Sequence, residues 1–299
     1  MSISFEQLEA FVEAALAGSF SAAARRTGKA QSAISTHISN LEDDLGVLLF
    51  SREGRVPVLT PAGQRLLEET RVVLDRREHL VGVARSLEEG VENRLVVAVD
   101  ELYPENALGS IFQDFAACFP HVELELLLPL MEDVGHMVLA GTADLGVMWQ
   151  QTTPPVDLAF RTIGRVPLRL VCGRDHPLAM QPVAWEELKR YRQILVASRG
   201  KKQERESLRI AAEVWWVESN WLILEMVKHG VGWAFISDHV LASSPVASHI
   251  VVPELLFDAG HHEVPLSIVW HKKKVHGPAA LWLRERISQE KSVFIVSDG

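Results

Sequence analysis

Ser32, Thr36 and Ser39 recur at helical spacing in a stretch, residues 19–40, that holds Arg25, Arg26 and Lys29 and no acid. Short hydroxyl side chains beside cations are suited to hydrogen-bonding base edges and phosphates. Ala33, Ser35 and Asn40 flank the same face, and Gln31, at the start of the helix, is a further DNA-binding candidate. At about 100° per residue, the opposite face is an apolar stripe of Ile34, Ile38, Leu41 and Leu45. The rival explanation is an ordinary helical hairpin with a solvated outer face.

The elements that must position this face can be read from the same residues. Ser19 and Ser21 are suitable N-caps for a helix through Ala22, Ala23, Ala24, Arg25 and Arg26. Gly28 supplies a backbone position that tolerates positive φ, as a sharp helix-ending turn requires. A second helix then spans about Gln31 to Leu45, and a first helix from Phe5 to Leu16 backs the pair through Leu8, Phe11, Val12 and Ala15. Small Ala24, Gly28 and aliphatic Ile34 match a helix-turn-helix, whose second helix enters the major groove. Ser51 to Leu59 reads as a small wing, whose Arg52 and Arg55 either contact phosphate or the minor groove or are solvated surface charge; the adjacent helix-turn-helix favours the first. Residues 1–58 nevertheless carry five Lys/Arg (25, 26, 29, 52, 55) against seven acids (6, 9, 13, 42, 43, 44, 53). Affinity must therefore come from the local patch, the wing and the pairing of two heads, not from net charge.

Phe20 to Leu49 resembles the DNA-binding region of the LysR-type transcriptional regulators. The resemblance continues through Leu49-Phe50, Arg52, Arg55, Leu59-Thr60 and Gly63. It extends across the chain to Ala140-Gly141 with Ala143-Asp144-Leu145-Gly146, to His176-Pro177-Leu178-Ala179, and to Val227 through Gly230 and Gly232. Thr27 and Lys29 depart from the aliphatic residues more usual around the turn, and Ser237 stands where proline is frequent. The resemblance implies an α+β multidomain protein: a winged helix-turn-helix (1–60), a linker and dimerisation helix (61–90), and a pair of α/β, periplasmic-binding-protein-like subdomains (91–299). Subdomain I would take about 91–164 and 266–299, and subdomain II about 165–265. The implied partners are double-stranded DNA, a small-molecule effector, RNA polymerase and further copies of the chain, as a homodimer or homotetramer. No resident cofactor or metal is implied.

The residues after the head fit that plan. Thr60-Pro61 opens a long helix in which Leu66, Val73, Leu80 and Leu87 repeat every seven positions, with Leu67, Leu74 and Val81 beside them. Such a stripe needs a partner helix, or else packs within its own chain; the resemblance favours a dimer-forming linker helix, and a two-fold pair matches a paired operator. From residue 91 strands alternate with helices, the pattern of an α/β sheet. Strands are expected at Leu95–Val99, Val122–Leu128, Leu145–Trp149, Leu158–Ile163, Leu168–Cys172, Ile194–Ala197, Val214–Val217, Val231–Phe235 and Val264–Trp270. Helices fall between them at Asn106–Phe119, Glu132–Ala140 and Ser219–His229, with a last one at Pro278–Ile287; a further element is placed at Glu204–Ala212.

Ligands in open α/β sheets bind beyond the carboxyl ends of strands. Those ends carry Asp100, Glu101 and Leu102, then Leu130-Met131, Trp149, and Ser198-Arg199. In the resembled family such ends line a cleft between the subdomains where the effector sits. Asp100 and Glu101 would bind a cation or confer selectivity by hydrogen bonds, and Arg199 a carboxylate; the plainer explanation is that the acids cap the next helix and Arg199 is exposed. Four of the eight tryptophans, Trp215, Trp216, Trp221 and Trp233, crowd the second subdomain and are expected mostly in its core, leaving Trp149 as the pocket candidate.

Three other functions are weighed. A binding module whose N-terminal helices only mediate assembly is the first. A redox-sensing regulator is the second, but Cys118 and Cys172 each have a packing role, Cys118 following Ile111 and Phe115 at helical spacing and Cys172 alternating with Leu168 and Leu170. An enzyme is the third, and it lacks a phosphate loop, a cysteine ligand pair and zinc-type histidine spacing; adjacent His261-His262 is not a usual helical metal pair. The net charge of −9 disfavours a general polyanion binder. The first residues lack the basic head and apolar core of a signal peptide, and no apolar run nears a membrane span, so a cytoplasmic protein is expected.

Overall fold

The computed structural model describes residues 2–51, 56–151, 154–199, 208–257 and 262–290. The chain forms two compact units, Met1–Glu88 and Glu89–Gly299. In the first, α1 (Phe5–Ala17), α2 (Phe20–Thr27) and α3 (Gln31–Leu45) are each ended by a glycine in the left-handed region, Gly18, Gly28 and Gly46. Ser4 caps α1 in a reciprocal box with Gln7, and Ser19, not Ser21, caps α2 by accepting from the Ala22 amide. The expected apolar stripe is the core: Ile34, Ile38 and Leu41 are fully buried with Phe11, Ala14, Ala23 and Leu49. The non-aliphatic Thr27 is accommodated because its hydroxyl donates to the Ala23 carbonyl at 2.9 Å.

The wing is a two-stranded antiparallel ribbon, β1 (Phe50–Ser51) with β2 (Val58–Leu59). Its arginines, Arg52 and Arg55, lie outside the described residues. Helix α4 (Pro61–Glu88) follows. Its first turns belong to the head: Leu67 is in the core, Leu66 packs against it, and Gly63 presses on the wing entrance. A Cβ on Gly63 would stand 2.1 Å from the Leu49 carbonyl oxygen, so only glycine fits there. Arg77 pairs with Glu9 and lies over the Phe5 ring, 4.9 Å from its centroid. The linker helix is thus continuous with the head's packing.

The second unit is built on a nine-stranded sheet. One half runs β4 (Glu123–Leu127), β3 (Arg94–Val99), β5 (Leu145–Trp149) and β11 (His262–His271), with α5 (Glu105–Cys118), α6 (Glu132–Ala140) and α10 (Pro278–Gln289) packed on it. The other half runs β9 (Trp233–Ser237), β7 (Gln193–Val196) and β8 (Val214–Val217), with α7 (Trp185–Leu188), α8 (Asn220–Lys228) and α9 (Asp238–Ser243). The parallel β3–β4, β3–β5 and β7–β8 pairs are what helix crossovers require.

Three expectations are corrected. The strands read as Leu158–Ile163 and Leu168–Cys172 are one strand, β6 (Leu158–Gly173). It pairs with β11 along residues 158–168 and with β9 along 168–172, so it belongs to both halves; β10 (Ile250–Val251) pairs with its end. Pro167 lies inside this strand, just before the β9 pairing begins, where its missing N–H is tolerated. Cys118 is exposed, because Phe119 takes the inward position and packs on Phe115 and Trp282. Residues 208–212 carry only a turn and bends, and the rest of the Glu204–Ala212 element lies outside the described residues.

Candidate nucleic-acid interface and ligand cleft

Helix α3 presents Gln31, Ser32, Thr36 and Asn40 to solvent, with Ala33, Ser35 and Ser39 half-buried beside them. Arg25, Arg26 and Lys29 are exposed at the adjoining end of α2 and its turn. Arg25 donates to the Ser21 hydroxyl at 2.8 Å, and Arg26 pairs with Glu13 at 3.3 Å. The head therefore presents the polar face of α3 and three exposed cations, with Ile34, Ile38 and Leu41 turned into its core.

Glu42 was not singled out from the sequence. It is buried, and one carboxylate oxygen accepts the Leu49 amide at 2.8 Å and the Phe50 amide at 3.1 Å. Thr60 accepts the Gly63 amide and donates to the Leu48 carbonyl, closing the other side of the same segment. Residues 48–50 are thus held between α3 and α4. A signal was present: Glu42 falls four positions after Ile38, on the inward face.

Leu80, on the expected seven-residue stripe, is 68% exposed, and Val73 and Leu87 are also exposed, whereas Leu66 is turned into the head. A run of large aliphatic side chains left open on one helix is unfavourable in water and calls for a cover.

In the second unit, Asp100 is 2% exposed at the end of β3. Its carboxylate accepts the Leu102 amide at 2.8 Å and the Met131 amide. Burial, opposed by those hydrogen bonds and aided by the charges of Glu101 and Glu132, pushes its pKa up to about 6. Asp100 thus ties two strand-end loops together and makes no open ligand surface. Met131 adopts φ 51° and ψ −122° and is buried. A non-glycine residue held there costs ~1–3 kcal/mol, strain that the surroundings must offset.

The remaining strand-end residues meet across the subdomains. Glu101 accepts from the Asn220 backbone amide at 3.2 Å and from its side-chain amide at 2.9 Å. The Glu101 carbonyl faces His239 Nε2 at 3.2 Å, and burial holds that histidine below its ordinary pKa. Ser198 is fully buried and donates to Glu132, itself only 7% exposed. The Arg199 amide donates to Asp133 at 2.7 Å, and the exposed Arg199 guanidinium pairs with Glu218 at 3.0 Å. Sequence reasoning missed Glu132, Asp133, Asn220 and His239. The acids open α6, where negative charge is favoured anyway, so their longer reach carried no separate signal.

Beside this junction lies an open groove of about 490 Å³. Leu127, Leu128, Pro129, Leu130 and Met137 form its apolar wall; Asp133, His136, Ala197, Arg199 and Glu218 complete it. The volume is that of a small-molecule site. Trp149 is not in it. It lines a smaller pocket with Met148, Gln150, Leu158 and Phe160. Of the crowded tryptophans, only Trp233 is fully buried, its indole N–H donating to the Leu188 and Tyr191 carbonyls. Trp215 and Trp221 are exposed, against expectation, because β8 is the edge strand and Trp221 stands on the outer face of α8. Cys172 is buried and its thiol is pushed up to about 11, away from the reactive thiolate.

Residues 5–64 match the family model of the "Bacterial regulatory helix-turn-helix protein, lysR family", and residues 88–292 match that of the "LysR substrate binding domain". The chain belongs to the LysR family. Among curated relatives, the HTH-type transcriptional regulator AceR of Acinetobacter baumannii is 31% identical over 294 residues, 97% of this chain and 98% of that one. Full-length BenM superposes with a TM-score of 0.54 at 19% identity, covering 99% of this chain and all of that one. Full-length CbnR complexed with target DNA gives 0.50 at 22% identity, over 95% and 98% of the two chains. At those identities the two structures speak for the fold. As a LysR-type protein, the chain is a DNA-binding transcriptional regulator whose second domain binds a small-molecule effector. The LysR family is one of regulators, not enzymes.

Proposed function

We propose that α3 reads double-stranded DNA in the major groove through Gln31, Ser32, Thr36 and Ser39, with Arg25, Arg26 and Lys29 on the flanking phosphates. The supporting observation is the one-sided helix: Ser32, Thr36 and Ser39 stand opposite fully buried Ile34 and Ile38, and Gln31 is exposed at the helix start. The test is operator binding across a salt series. Lys29→Ala weakens binding to all sequences alike and lowers the salt slope by about 1. Thr36→Ala changes discrimination at individual base pairs by about 1–3 kcal/mol. Weak, sequence-independent binding that Ser32→Glu and Thr36→Glu leave unchanged would overturn the assignment.

Two chains pair along α4 through Val73, Leu80 and Leu87, in the cytoplasm and without a resident cofactor. The exposed stripe supports this pairing, and it offers two heads to one operator. Leu80→Glu should convert the sedimenting species to monomer and reduce operator affinity, because the second head's contacts are lost. The effector occupies the 490 Å³ groove, its apolar body on Leu127–Leu130 and its polar end toward Arg199 and Glu218. RNA polymerase is the remaining partner, reached once the dimer is on DNA.

A further inference from the structure

We infer that Glu101, Glu132 and Asp133 form a three-point latch that holds the two subdomains closed, and that Asp100 is the positioning residue that sets it. The contacts have one polarity. In these side-chain links, subdomain I supplies carboxylate acceptors and subdomain II supplies donors: the Asn220 amides, the Ser198 hydroxyl and the Arg199 backbone N–H. Donors on two separate elements, the end of β7 and the start of α8, are engaged at once. The His239 ring, donating to the Glu101 carbonyl, adds a backbone link beside them.

Asp100 acts from behind. Among the described residues its carboxylate bonds none of subdomain II; it holds the amides of Leu102 and Met131, the residues next to Glu101 and Glu132. Met131 keeps its positive φ while Asp100 holds its N–H, and this aims Glu132 at Ser198. A local hydrogen bond thereby fixes the direction of a long-range one. The groove meets the latch at one point, because Asp133 and Arg199 line the groove and bond each other. A molecule seated there therefore acts on the third link of the latch. This last step rests on the groove being the effector site; the latch itself does not.

Hydrogen exchange on the full chain, with no ligand added, tests the latch. The Asn220 amide is the reporter, since its own partner Glu101 is left intact. Ser198→Ala and Glu132→Gln should each raise its exchange about tenfold, as loss of a charge-assisted hydrogen bond implies for an opening that all three links share. Exchange within β6 and β11 should stay the same, which shows that the fold persists. Asp100→Asn should raise Asn220 exchange too, and combined with Ser198→Ala it should add less than the product of the separate factors. Met131→Gly, which frees the same backbone without touching a carboxylate, should act in the same direction. Unchanged Asn220 exchange in both Ser198→Ala and Glu132→Gln would overturn the latch. Fully multiplicative effects of Asp100→Asn and Ser198→Ala would overturn the positioning role.

Discussion

The head and the cleft solve the same problem, holding one element against another, with opposite materials. In the head, α3 is fixed by a closed apolar core, three glycine-ended helices and a backbone contact at Gly63 that leaves no space. In the cleft, the subdomains are fixed by carboxylates on hydroxyl and amide donors. Apolar burial is non-directional and has no competitor that water can supply. A hydrogen bond can be exchanged for one to water or to a ligand at small net cost. A reading surface benefits from the first, and a site that must respond to a small molecule from the second.

The contrast can be broken most severely at Gly63. Gly63→Val should destabilise the head by ~3 kcal/mol or more, since the Leu49 carbonyl is backbone and cannot turn away. Operator binding should vanish while the second unit keeps its hydrogen-exchange pattern; equal loss in both units would show that they fold as one.

The cleft is probed by pH. Asp100 has a folded pKa of about 6, above the ordinary 3.8, so the folded state holds more protons between those values. Its contribution to stability is fully present below pH ~4, is lost as pH rises toward 6, and changes no further above it, a span of about 3 kcal/mol. Denaturant titrations from pH 4 to 7 should show that slope in wild type and lack it in Asp100→Asn. A difference curve that rises with pH instead would mean that the two amide bonds outweigh desolvation.

Glu42→Ala gives a smaller effect that sharpens the comparison, because Glu42 is a carboxylate used within the head. It leaves the Leu49 and Phe50 amides without this acceptor and should cost about 2 kcal/mol. The loss should appear in DNA affinity and thermal stability together. Smallest is Trp221→Ala: with the ring 61% exposed, the isolated chain should lose less than ~1 kcal/mol by thermal melt.

The parts written in local spacing were legible in the sequence. Gln31–Leu45, Glu132–Ala140, Leu145–Trp149 and Val214–Val217 occur with the expected bounds, because a helical stripe or a short apolar run bounded by turn residues defines itself. What the chain brings together from afar was not. Glu132 and Ser198 are 66 positions apart, and Glu101 and Asn220 are 119 apart. Nothing within a window of a few turns distinguishes such residues from solvated acids and a helix cap. The two-halved β6 was missed for a related reason: Pro167 breaks a strand by local rules, and only the switch of partners beside it makes the strand continuous.

The seat of Gly63 also says where this protein can be cut and rejoined. A chimera that takes a foreign reading head and joins it at residue 60 would separate Gly63 from the Leu49 carbonyl it was shaped for, and Arg77 from Glu9. A junction at Glu88, after the helix has left the head's packing, transfers both contacts intact. The exchangeable module is the head together with its helix, and specificity should travel with residues 1–88 as a block.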